Sequence, residues 1–187
     1  MPLYVVLMFW EMNSRVHFYS DSSVWFYIIL VVFINSILIP FLMFWMMKRL
    51  GIIGSLGMEQ RKDRVYPYLI TGIFYVTTWF VFYNLSILDL IAHVFVFAAI
   101  LVFLALIINV FWKISIHSMS MGAMSVFIIY LTSVHFISSA WPSYLIVLLS
   151  GVVGFARLKL KSHTPAQIYV GYLSGALVAF LFLVGLN

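Results

Sequence analysis

The chain contains no cysteine, so disulfides and thiolate metal sites are excluded and the redox compartment cannot be read. Charge is scarce as well. Asp, Glu, Lys and Arg together make up 8% of the 187 residues, where a soluble domain carries about 25%. So few charges cannot cover a surface exposed to water. The apolar residues 2–10 have no basic stretch ahead of them and no small-residue cleavage site, and Glu11 follows directly. This pattern predicts an interfacial N-terminal segment over 1–23 rather than a signal peptide. Carboxylates and histidines are too few near the cations to build a carboxylate-rich or histidine-rich metal site, so no metal and no other cofactor is expected. No repeat of 20–50 residues and no low-complexity tract is present.

What the chain does have is apolar length. Hydrophobic residues make up 65% of it, and the mean hydropathy is +1.15. A bilayer core needs about 20 apolar residues per helix. Six segments meet or approach that, at 24–47, 65–88, 90–112, 119–138, 142–158 and 166–186, none with a charge in its apolar core. The expectation is an all-α integral membrane bundle of about six transmembrane helices, forming a single domain over 1–187. Asn84–Asp89 and Ser138–Pro142 read as tight turns without cations. Gly51, Gly54 and Gly57 lie in the longest connection, 48–64, and read as an interfacial loop because no strand precedes them.

Six spans put both termini on one side. Lys48, Arg49, Arg61, Lys62, Arg64, Lys113, Arg157, Lys159 and Lys161 then gather on the other side, leaving only Arg15 of the ten cations with the termini. The positive-inside rule would make the crowded side cytoplasmic, unless the same cations bind a phosphate, which leaves the orientation open. The net charge of +5 points to anionic headgroups or an anion site rather than to nucleic acid.

Two histidines, His117 and His163, stand among these cations, each near the start of a span; Ser115 and His117 are expected to precede the fourth helix. A helix start offers unpaired N–H groups and the positive end of the dipole to an anion. Arginine matches phosphate oxygens with a planar fork of donors. Paired imidazoles can act as nucleophile and general acid near neutral pH. The alternative is that the histidines are ordinary interfacial residues and the cations only anchor helix ends.

A spacing bears on that choice. Arg157, five residues, His163, then Thr164-Pro165-Ala166-Gln167 and Gly171-Tyr-Leu-Ser-Gly175 resembles the third motif of the type-2 phosphatidic acid phosphatase family, S-R-x5-H-x3-D followed by a glycine-containing helix. Ile114-Ser115-Ile116-His117 is similar to the family's P-S-G-H motif at the serine and the histidine. Arg61-Lys-Asp-Arg64-Val-Tyr-Pro67 is a loose counterpart of K-x6-R-P. The resemblance covers about 60–180. It implies metal-independent hydrolysis of a phosphate or pyrophosphate on a lipid, with phosphorylated lipid as substrate and membrane lipids as surroundings. By position it implies that His163 is the nucleophile, His117 protonates the leaving oxygen and Ser115 bonds the phosphoryl group. It also implies that Arg157, with one or two of Arg61, Lys62 and Arg64, holds its oxygens. Gln167 stands where the family has the aspartate that orients the nucleophile, Ala156 replaces the serine before the arginine, and isoleucines replace the proline and glycine beside His117.

Two other functions compete. A relative that binds a phosphorylated lipid or serves as a membrane subunit without catalysis is favoured by Gln167. A small transporter predicts polar residues or broken helices at mid-membrane, which the spans do not strongly show. His93 and His135 are read as hydrogen-bonded interface residues, and Met119, Met121 and Met124 as helix packing.

Overall fold

The computed structural model describes residues 22–54, 60–85, 89–134 and 140–186. The N-terminal segment through residue 21, His17, His135 and the centres of both tight turns lie outside the described residues. The protein is all-α, and six of its helical stretches are long and apolar enough to cross a membrane: Trp25–Arg49, Lys62–Asn84, Ile91–Phe111, Ile116–Ser133, Trp141–Lys159 and Pro165–Gly185. It is a multi-pass helical membrane protein. The helices are α1 (Ser22–Phe33), α2 (Ile39–Arg49), α3 (Val65–Leu85), α4 (Asp89–Phe111), α5 (Ile116–Ser133), α6 (Trp141–Lys159) and α7 (Pro165–Leu186). They pack as two compact units, Met1–Leu106 and Ile107–Asn187, with the division inside α4.

In the first unit, α1 and α2 form one span joined by a π-helical segment, Ile34–Leu38. Pro40 has no N–H to donate to the Ser36 carbonyl, so the regular ladder fails there. The chain widens instead, and the Ile39 N–H reaches back to the Ile34 carbonyl. Asn35 donates to the Val31 carbonyl at 3.1 Å. The first span therefore widens near its middle and carries an amide there, while the helix runs on from Trp25 to Arg49. Beyond α2 the chain turns at Gly51, whose φ of +72° is glycine's natural territory. The Ile52 N–H bonds the Met47 carbonyl and the Gly51 N–H bonds the Lys48 carbonyl, the paired bonds of a Schellman stop. Helices α3 and α4 pack antiparallel, with Phe95 against both Tyr75 and Phe82 and Phe103 filling the space over Gly72.

In the second unit, α5 and α7 run parallel and almost touch. A side chain at Gly171 would lie 2.8 Å from the Ser115 carbonyl oxygen. One at Gly175 would strike the Met119 carbonyl, and one at Gly122 the Tyr172 carbonyl. In lipid, where apolar side chains gain nothing by meeting one another, such backbone approach is a main source of helix association. Helix α6 returns antiparallel along α5, with hydroxyls meeting between them: Thr132 and Ser143 at 3.0 Å, Ser125 and Ser150 at 3.2 Å.

Candidate functional site

The joint between α6 and α7 sets the spacing of Arg157 and His163. The C-terminus of α6 ends in a second Schellman stop: the Ser162 N–H bonds the Arg157 carbonyl at 3.1 Å, and the Lys161 N–H bonds the Leu158 carbonyl at 2.9 Å. The left-handed position, where the first unit has Gly51, is here Lys161, with φ +51°. After Ser162 comes His163, and then Thr164 begins α7 as a reciprocal cap. The Gln167 N–H reaches Thr164 Oγ1 at 3.4 Å, while the Thr164 N–H reaches Gln167 Oε1 at 3.3 Å. Pro165 occupies the first helical position, where its missing N–H is not needed. The five residues between arginine and histidine, 158–162, are thus the helix stop itself, and His163 is the residue before the next helix's cap.

The His163 ring is buried, with Nδ1 3.0 Å from Gln167 Oε1. Arg157 is half-buried. Its Nε is buried and meets no hydrogen-bond partner among the described residues. Lys159 and Lys161 are exposed.

The start of α5 lies beside the start of α7, for the Ser115 N–H points to the Gln167 carbonyl at 3.4 Å. Two helix starts, each with the positive end of its dipole, thus stand together. Helix α5 begins at Ile116, so His117 lies within its first turn rather than ahead of it. Ser115 is the cap itself. Its wholly buried hydroxyl accepts the Ser118 N–H at 3.4 Å and pairs with the Ser118 hydroxyl at 2.9 Å. The geometry therefore gives Ser115 a structural task at the helix start, shared with Ser118, which the sequence reading did not single out. His117 is exposed at the same helix end. Asp and Glu are absent from the whole of 107–187, which nevertheless carries Lys113, Arg157, Lys159 and Lys161.

Arg61, Lys62 and Arg64 belong to the first unit. Lys62–Arg64 form a 3-10 turn leading into α3. Arg61 and Lys62 are exposed, whereas Arg64 is buried and hydrogen-bonds Tyr68 one turn along. Asp63 is buried with its carboxylate beside Gly54, and Arg49 lies over the Trp45 ring at 5.1 Å. His93 is half-buried in α4. Among the described residues no cluster of three or more His, Asp or Glu could hold a metal ion.

Together these features define a multi-pass helical membrane protein whose second unit brings the starts of α5 and α7 side by side in a stretch that carries four cations and no Asp or Glu. No protein-family model matches the chain, and no curated protein or solved structure matches it.

Proposed function

We propose that the protein is a membrane-embedded lipid phosphate or pyrophosphate phosphatase working through a phosphohistidine. The observation that carries this reading is the α6–α7 joint. There a buried arginine N–H without a partner among the described residues, an oriented histidine and adjoining helix starts occur together in a unit without Asp or Glu to neutralise them. Phosphoryl transfer depends mainly on positioning and on charge around the phosphoryl oxygens, and these groups are suited to both. The likeness of Arg157-x5-His163 to the phosphatase motif supports the same reading.

In the first step the Nε2 lone pair of His163 forms a bond to phosphorus as the P–O bond to the lipid breaks. The departing oxygen takes its proton from His117. Water then attacks phosphorus and gives a proton to His117, the P–N bond breaks, and phosphate leaves. Arg157 holds the phosphoryl oxygens throughout.

The test is phosphate release from a panel of lipid phosphates and pyrophosphates with chelator present. Wild type should release phosphate, and His163→Ala should lose at least about 10³-fold in rate. Release that requires a chelatable metal, or that survives His163→Ala, overturns the mechanism. The second reading, a binder of phosphorylated lipid that does not turn it over, is favoured by Gln167, which brings no charge where the family motif has aspartate. Saturable lipid-phosphate binding without release across the panel is its signature.

A further inference from the structure

Gln167 Oε1 is shared by two hydrogen bonds, and the second fixes the nature of the first. An amide side chain can be turned so that either its oxygen or its NH2 faces a neighbour, and an imidazole can carry its proton on either nitrogen. The backbone settles both choices. The Thr164 N–H, 3.3 Å from this atom of Gln167, is a donor and requires an acceptor, so the atom is the carbonyl oxygen. An amide NH2 there would set donor against donor. The same oxygen lies 3.0 Å from His163 Nδ1, so Nδ1 carries the proton and donates it. The return bond from the Gln167 N–H to Thr164 Oγ1 holds the glutamine backbone at the third helical position, from which the side chain reaches both donors.

We infer that Gln167 is a positioning residue that locks His163 in its Nδ1–H tautomer, leaving the lone pair on Nε2. The cap that starts α7 and the device that orients the histidine are one structure. A carboxylate at this place would fix the same tautomer and also pair with an imidazolium. The amide does only the first, and 107–187 contains no Asp or Glu to do the second. The tautomer stands on the hydrogen bonds alone. Its consequence, that Nε2 is the reacting nitrogen, rests on the phosphatase reading.

The test uses the full chain in nanodiscs with 15N-labelled histidine, read by NMR at about pH 8, where an unshifted imidazole is neutral. The His163 signals are assigned as those lost in His163→Asn. Wild type should show Nδ1 protonated and Nε2 bare. Gln167→Leu, which removes the acceptor, should shift His163 toward Nε2–H or a mixture, while the other histidines keep their spectra and so report an intact fold. Gln167→Glu restores the acceptor and should restore the Nδ1–H pattern. An Nε2–H tautomer in wild type, or a tautomer unmoved by Gln167→Leu, overturns the inference. Phosphate release is measured on the same samples. A locked tautomer without release defeats the phosphatase reading and leaves the lock standing. Release with an unlocked tautomer defeats the lock and leaves the phosphatase reading.

Discussion

Lys161 and Gly51 occupy equivalent positions in two helix stops with the same hydrogen-bond pattern, yet only one of them is a glycine. An L-residue in the left-handed region costs about 1–2 kcal/mol, because Cβ crowds the following carbonyl. Lys161→Gly relieves that crowding at the expense of a more flexible unfolded chain. The variant should therefore gain about 0.5–1 kcal/mol, seen as a higher denaturation midpoint in detergent, and an unchanged or lower midpoint would count against strain at this turn. The nearby pairing of Thr164 and Gln167 was open to a sequence reader, since Thr-x-x-Gln ahead of an apolar run is a capping pattern. Gln167 thus serves the helix cap as well as the histidine. The hydroxyl pairing of Ser115 with Ser118 was less legible, because it depends on where α5 begins, and the apolar run suggested a start three residues too late.

Among the helices, α5 and α7 depend most on the absence of side chains. Gly175→Ala places a methyl group against the Met119 backbone, which no rotamer change can relieve. The cost should be about 3 kcal/mol or more, read as a collapse of the denaturation midpoint. Gly151 on α6 serves as the control: it is exposed, nothing lies within 4 Å of a Cβ there, and alanine at that position should be neutral or stabilising by up to about 1 kcal/mol. If both variants behave alike, the close approach of α5 and α7 is wrong. The six spans were readable because hydropathy over about 20 residues responds to the bilayer itself. Which helix meets which was not, for spans that are apolar on every side give no preferred face. Gly171 and Gly175, four residues apart, were the one clear pointer to a contact. The π-helical turn at Ile34–Leu38 was not legible, because averaging over the span dilutes Asn35, Ser36 and Pro40 among strongly apolar neighbours.

For the whole molecule, the count of spans sets the start of the second and the end of the fifth on one side of the membrane. Because the natural chain has no cysteine, single-cysteine variants need no background removed. Lys62→Cys and Lys159→Cys should react with an impermeant maleimide from the same side, and Trp141→Cys, at the other end of α6, only from the opposite one. Labelling of Lys62→Cys together with Trp141→Cys would break the six-span order. The carboxylate-free second unit has one more consequence. Between about pH 5 and 8 only imidazoles among unperturbed side chains change charge, and this unit has three: His117, His135 and His163. Subtracting the titration of a His117 or His163 variant from that of the wild type therefore follows the imidazole removed, with no Asp or Glu of its own unit to respond to the change.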